Sequence, residues 1–271
     1  MRVLITVLTL ALPACAGGLF DLDGKSIDEY GAVLRLRGWS SEMDAGVQDS
    51  TDLQPGSIIE FDEDTPLDRR LYIPEVDLEL RFAELAFHLT TWRASDSTRG
   101  SFREDEGFDG HAFATGDRAL HRFRVWQAAA HFEWIPFDLG SHKTIGLEIG
   151  AIIGARLTRM EAFFRDSASG KHYRSTSTAA LPDLGVTVSL GFLNCVEIEG
   201  WASGMYAPFS NWDYVSINGG IEIRLHLDQH FYFGGGYRFS SGSIERGDAD
   251  DDGRLLEYLY HGPSVTFGLR F

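Results

Sequence analysis

The chain closes on Ser264-Val265-Thr266-Phe267-Gly268-Leu269-Arg270-Phe271, and this ending constrains the fold more than any other stretch. Side chains alternate between the two faces of an extended strand. Val265, Phe267, Leu269 and Phe271 therefore share one face, and Ser264, Thr266, Gly268 and Arg270 the other. Apolar positions two apart do not gather on one side of a helix, whose period is about 3.6. An ordinary antiparallel strand ending a chain would satisfy the same pattern, so the remaining sequence must say what the apolar face meets.

The alternation recurs. Reading for period two gives about ten predicted strands, within a range of eight to twelve, near 29–39, 72–82, 84–94, 119–134, 143–159, 182–192, 195–206, 213–226, 230–241 and 255–271. No amphipathic helix of convincing length competes. Interior glycines (Gly146, Gly150, Gly154, Gly219, Gly220, Gly234 to Gly236) would weaken a free-standing strand but suit a curved wall or a bulge. The connections alternate too: long at 40–71, short at 83, long at 95–118, short at 135–142, long at 160–181. Then come short at Leu193-Asn194, medium at 207–212, short at 227–229 and long at 242–254. A membrane β-barrel has short turns at one end and longer loops at the other, and an even strand count leaves both termini at the short-turn end. A soluble sandwich has no reason to keep that rhythm.

On most strands one parity is almost wholly apolar. Ala32, Leu34 and Leu36, then Val76, Leu78, Leu80 and Phe82, then Leu85, Phe87 and Leu89 begin the series. Ile145 to Ile153, Val186 to Phe192, Val215 to Leu225 and Phe231 to Phe239 continue it at alternate positions. The opposite parity holds the charges: Arg35, Arg37, Asp77, Glu79, Arg81, Glu148, Arg156, Glu197, Glu199, Glu222, Arg224, Arg238 and Arg270. A soluble barrel would alternate as well, with its apolar face inside. Two features favour an apolar face outside. Aromatics stand near the short turns (Phe82, Trp134, Phe192, Phe231, Phe271), as an interfacial girdle would. The charged face carries both signs in nearly equal measure, which suits mutual pairing in a confined lumen. Strand 119–134 is the hardest case, because its apolar parity (Trp126, Ala128, Ala130, Phe132, Trp134) puts Arg122 and Arg124 outside, where they must sit above the hydrocarbon.

Arg2 followed by the apolar run Val3 to Leu12 reads as an export signal, too short to span a bilayer. Ala14-Cys15-Ala16 fits a small-x-small cleavage site, which divides the chain into a signal at 1–16 and a barrel at 17–271. A lipobox at Leu12-Pro13-Ala14-Cys15, with Cys15 lipidated, competes, although Pro13 is unusual there. Cys15 and Cys195 offer neither a disulfide framework nor a metal spacing. The net charge of −16 argues against nucleic acid as a partner. Acids gather at Glu60 to Asp64, Glu104 to Glu106 and Asp248 to Asp252, which read as solvated loops.

Together these residues resemble the small bacterial outer-membrane β-barrels of the OmpA/OmpX-like superfamily. The resemblance runs from about Glu29 to Phe271 and is carried by Pro74 to Phe82, Leu181 to Val186, Gly219 to Leu225 and His261 to Phe271. The closing strand is similar to the assembly signal of such barrels, with Val265, Phe267, Leu269 and Phe271 as its apolar residues. The resemblance implies an all-β, closed antiparallel transmembrane β-barrel in the outer membrane of a Gram-negative bacterium. It implies outer-membrane lipid and the barrel-assembly machinery as partners. The best-known members have eight strands, fewer than the ten expected here. Patterns of strand and turn specify a fold and say little of function.

Charges inside a narrow barrel persist only if paired and hydrogen-bonded. The thirteen charged positions named above therefore read as a salt-bridged plug or as a narrow polar conduit for ions or small solutes. The near balance of signs favours the plug, since a selective pore would show one dominant sign. Asp248, Asp250 and Asp252, followed by Gly253, fit the opening of a Ca2+ loop, but Leu259 stands where the bidentate Glu belongs. A solvated acidic hairpin fits as well. His111, His121, His172 and His261 lie in no nucleophile or metal motif, so catalytic residues are not expected, and a hydrolase or acyltransferase is the outlying reading. The segment 102–113 mixes aromatics and acids, as an adhesive tip or an ordinary long loop would. The expectation is a non-catalytic envelope scaffold or loop-mediated surface contact. The alternatives are a narrow, porin-like passive channel and a soluble periplasmic ligand-binding barrel.

Overall fold

The computed structural model describes residues 31–50, 56–67, 70–82, 84–141, 144–209, 212–228, 230–247 and 253–271. The segment 1–16, expected to be an export signal, and the acidic run 248–252 lie outside these. The strands are β1 (Ala32–Asp49), β2 (Ile59–Glu60), β3 (Arg70–Phe82), β4 (Leu85–Ser101), β5 (Glu106–Phe108), β6 (His111–Phe113) and β7 (Arg118–Ser141). They continue as β8 (Ile145–Asp166), β9 (His172–Phe192), β10 (Val196–Phe209), β11 (Trp212–His226), β12 (Phe231–Arg246) and β13 (Arg254–Arg270). Ten of them, β1, β3, β4 and β7 to β13, form one closed antiparallel barrel. β1 completes the circle on β13, from Val33 opposite Arg270 to Asp49 opposite Arg254. The two-residue β2 adds to β1, and β5 and β6 form a hairpin of their own.

In the half of the barrel nearest the termini the apolar parity faces out. Leu36, Val76, Leu89, Ile153, Val186, Ile221 and Val265 are exposed, while Arg35, Arg37, Asp77, Glu79, Glu222 and Arg224 are buried inside. Such a wall is stable only against lipid, which removes the soluble ligand-binding barrel as a reading. Phe82, Trp134, Phe231 and Phe271 edge this apolar band at the short turns, and Tyr72, Trp126, Tyr206 and Tyr237 edge it on the other side. From Phe82 to Tyr72 the strand climbs roughly 25 Å, taking about 3.3 Å per residue and a tilt of about 40°. That is the height of an outer-membrane apolar belt. At the upper edge the Tyr72 ring lies over Gly38, where a Cβ would collide with it.

The strands do not stop at the band. They run on past the residues assigned above to long connections, leaving only 50–69, 102–117, 167–171, 210–211 and 247–253 between them at the outer end. The segment expected as a loop at 160–181 is mostly strand, since β8 reaches Asp166 and β9 starts at His172. The physical reason is a change of solvent. Above the band the outward side chains meet water and become polar (Ser40, Glu42, Asp44; Arg93, Ser95, Ser97), while the inward ones become apolar (Met43, Ala45, Val47; Trp92, Ala94). The apolar parity reverses, and a search for one unbroken apolar face loses the strand at the reversal.

Two outer connections fold into the mouth. Phe61 and Leu67 follow β2, and Phe102, Phe108 and Phe113 bracket the β5–β6 hairpin; all are buried. The hairpin turns at Asp109-Gly110, both at positive φ (51° and 69°), the geometry that matches strand twist in a two-residue turn. At the opposite end Leu193-Asn194 makes the same kind of turn, with φ of 51° and 56°.

Candidate functional site

The interior is layered. Nearest the termini lies a dense ionic layer whose residues come from β1, β3, β8, β10, β11, β12 and β13, because inward positions on neighbouring strands face one another across a narrow lumen. Arg35 donates to Asp77 at 2.6 Å, to Glu79, and to the Tyr232 hydroxyl at 2.8 Å. Arg37 donates to Glu75 at 2.9 Å and to Glu222 at 3.2 Å. Arg224 sits among three carboxylates, Glu197 at 3.0 Å, Glu199 at 2.5 Å and Glu222 at 2.5 Å. Arg81 reaches Glu148 at 2.7 Å, Arg238 reaches Glu75, and Arg270 lies 3.8 Å from Glu197 and against His226. Thr266 adds a hydroxyl bond to Glu222 at 2.6 Å. Each guanidinium spans two strands or more, so the layer ties the wall together across its diameter.

A second layer crosses mid-barrel. Arg156 donates to Asp183 at 3.1 Å, to Gln127 at 2.6 Å and to Ser203 at 2.8 Å. Gln127 in turn accepts from the Trp92 indole at 3.0 Å and donates to the Tyr258 hydroxyl at 3.1 Å. Between the two layers lies a cavity of about 90 Å³ lined by Arg35, Arg37, Asp77, His131 and Arg156 among others. That volume holds only a few water molecules, each occupying about 30 Å³ in the liquid.

Above it the lumen turns aromatic, then apolar. Trp39 meets Trp92 edge-on at 5.8 Å, and Trp92 meets Tyr260 at 5.9 Å. Arg238 lies over the Trp201 ring at 4.9 Å, where the electron-rich face attracts the cation. Higher still, Phe164 gathers Phe61 at 5.7 Å, Phe102 at 5.5 Å, Phe108 at 4.9 Å and Phe113 at 6.0 Å. Sequence reasoning missed Glu75, Asp183, Gln127 and this aromatic cap. Glu75 and Asp183 share the parity of the charged set and could have been found from it. The cap could not, since it depends on loops folding inward.

Thus all the charged positions read from the sequence face the lumen, but they do not form one cluster, Arg156 standing apart with Asp183. Val265, Phe267, Leu269 and Phe271 face outward, with Phe271 73% exposed. Asp248, Asp250 and Asp252 fall outside the described residues, and among those residues no three His, Cys, Asp or Glu side chains converge as for a metal. The four histidines are dispersed. His111 stacks on Tyr173 at 4.5 Å, His172 on Phe163 at 6.2 Å, and His261 bonds the Tyr237 hydroxyl at 2.8 Å on the outer wall. His121 is buried beside Phe102 and Phe164.

No protein-family model matches the chain, and no curated protein does. Among solved structures, the outer membrane protease OmpT from Escherichia coli superposes with a TM-score of 0.53, at 9% identity, over 89% of this chain and 97% of that one. Ail, the attachment invasion locus protein of Yersinia pestis, gives 0.34 at 11% identity over 89% and 99%. The Pseudomonas putida toluene transporter TodX gives 0.31 at 10% identity over 89% of each chain. The first of these likenesses is one of fold alone, and the other two carry no argument.

Proposed function

We propose that this ten-stranded outer-membrane barrel is a small envelope protein of the OmpA/OmpX-like class with a sealed lumen, a scaffold whose outer connections make surface contacts. The observation that supports this reading is the filled lumen. Ion conduction needs a continuous polar path. Here the Arg224 and Arg37 clusters obstruct the inner half, and the buried rings around Phe164 obstruct the outer half. The outer connections then remain as the parts free to meet another surface.

Single-channel recording in planar bilayers tests the proposal. The purified barrel is expected to insert without unit conductance. Reproducible, ion-selective steps would overturn it and favour the narrow channel instead. Export belongs to the same proposal: residues 1–16 act as a signal, and the mature chain begins at Gly17. Intact-mass measurement of the membrane-extracted protein should give the chain from Gly17, whereas a diacylglycerol mass on Cys15 would establish lipidation.

A further inference from the structure

The water-facing wall above the apolar band is charged asymmetrically. On β4, β7, β8 and β9 its outward positions include Arg93, Arg99, Arg122, Arg124, Arg159, Arg165 and Arg174, joined by Arg118 at the mouth. Register sets them on diagonals: Arg93 and Arg159 both face Trp126, two residues from Arg124, and Arg99 and Arg165 both face Leu120, between Arg118 and Arg122. Glu161 is the acid of this face, holding Arg124 at 3.4 Å and Arg174 at 2.5 Å. Among the described residues no ion pair engages Arg93, Arg99, Arg118, Arg122, Arg159 or Arg165, and Arg122 lies 5.1 Å over the Phe163 ring. Long like-charged side chains on the diagonals of adjacent strands still reach one another and repel. In a chain of net charge −16 their concentration is conspicuous, and the opposite wall carries Glu42, Asp44, Asp213, Glu245 and Glu257 instead.

Two cavities adjoin the patch. A cleft of about 430 Å³ at its top is lined by Arg99, Arg118 and Arg165. Asp166 lines it too, but its carboxylate already accepts from the Ala168 amide at 2.8 Å and the Ser169 amide at 3.0 Å. Directly below the patch an apolar groove of about 540 Å³ runs down the lipid-facing wall between Leu89, Ala128, Ala130, Ala155, Leu157 and Ala180. Small side chains hollow it. Arg159 follows Leu157 two residues along β8, and Trp126 precedes Ala128 by two on β7, so the groove opens upward into the arginines.

We propose that this wall binds a phosphorylated lipid of the outer leaflet, its headgroup carrying more than one phosphate and one acyl chain lying in the groove. Strands about 4.8 Å apart, with a rise of about 3.3 Å per residue, make the patch roughly 15 by 20 Å, too broad for a single phosphate. Guanidinium forks match phosphate oxygens in bidentate fashion. The site rests on the membrane position of the barrel and not on the sealed lumen, so conductance and lipid binding fail or succeed separately.

The test reconstitutes the barrel in phosphatidylcholine vesicles and titrates it with bisphosphorylated lipid A, reading retained lipid by native mass spectrometry. Dephosphorylated lipid A, phosphatidylglycerol and inorganic phosphate are run in parallel. Lipid A should be retained about tenfold or more over the others, and Arg122→Gln with Arg124→Gln, or Arg99→Gln with Arg165→Gln, should each weaken it about tenfold. Ala130→Phe, which fills the groove without touching the charges, should weaken it about threefold. Glu245→Gln on the opposite wall should change nothing. Heat-modifiable gel migration confirms that each variant still forms a barrel. Equal retention of dephosphorylated lipid A or of phosphatidylglycerol would overturn the proposal. So would full displacement by inorganic phosphate, or unchanged binding in both arginine pairs.

Discussion

Along β1 the apolar side chains move from the outside of the barrel to the inside. Leu34 and Leu36 face out, Met43 and Val47 face in, and the register with β13 does not shift between them. Backbone pairing is the same in both halves; the solvent differs. In the inner half lipid surrounds the wall and charges fill the core, whereas in the outer half water surrounds it and the core resembles that of a soluble protein. Strand alternation therefore reports two environments at once. Which parity is apolar records what lies outside at that height.

The largest expected effects come from removing what each core depends on. Arg224→Ala would leave Glu197, Glu199 and Glu222 facing one another in the inner half, and breaking a buried pair in this way costs about 3–5 kcal/mol. Urea unfolding of the reconstituted barrel measures it. Arg224→Lys should recover part of the loss, because a charge returns without the planar fork. Phe164→Ala removes the ring that gathers the outer core, a change worth about 3–5 kcal/mol, and should expose 102–117 to protease while heat-modifiable migration persists. Ile153→Ala is its counterpart on the lipid face. Lipid fills the vacated space, so stability should hardly change. If Ile153→Ala costs as much as Phe164→Ala, the two halves do not differ as argued.

Charge insertion sharpens the same contrast at a somewhat smaller scale. Ile149→Arg or Ile221→Arg places a cation in the apolar band, at about 2–4 kcal/mol near the midplane, and should reduce assembly into the outer membrane. Thr176→Arg adds the same charge to an outward position above the band and should assemble normally. Cell fractionation with boiled and unboiled gel samples reads both. Normal assembly of Ile149→Arg would put the lipid boundary in the wrong place.

The inner half was legible in the sequence because one rule holds there over the full height of the band. Strand number, the short turns after Phe82, Phe192 and His226, and lumen-facing charges such as Arg35, Asp77 and Glu222 follow from alternation alone. The turn expected at 135–142 is instead mostly strand, because β7 passes an irregularity between Trp134 and Phe137 that breaks the alternation and runs on to Ser141. Arg122 and Arg124 looked like exceptions to that rule, and they mark the height at which the environment changes. The outer half was harder to read. Phe61 and Phe108 lie in connections whose inward folding no local pattern encodes, and β8 and β9 pass through the reversal where neither parity is plainly apolar. The ionic partners were legible as a set, but their pairings depend on shear around the barrel, which no single strand carries.

The smallest expected effect concerns the contact between the two outer connections. Glu106, on β5, is buried, and the Ser57 hydroxyl donates to it while itself accepting from the Gly107 amide at 2.9 Å. Burial raises its pKa above the usual carboxylate range, the Ser57 bond opposes this, and the nearby Asp64, Glu104 and Asp105 push it further up. A carboxyl whose folded pKa is raised binds its proton more tightly when docked than when free. Docking of the β5–β6 hairpin should therefore tighten as pH falls from neutral toward the ordinary carboxylate pKa, and loosen as it rises. Asp105 has the opposite sign, because the Thr115 amide (2.6 Å) and hydroxyl (2.7 Å) lower its pKa, but that contribution is lost only below the ordinary aspartate pKa. The two windows do not overlap. Protease cleavage within 102–117, followed across mildly acidic to neutral pH, should slow toward the acid side in the native chain and become flat in Glu106→Gln. If the Gln variant keeps the slope, a group other than Glu106 titrates with docking, and the Ser57–Glu106 contact is not the pH-sensitive link.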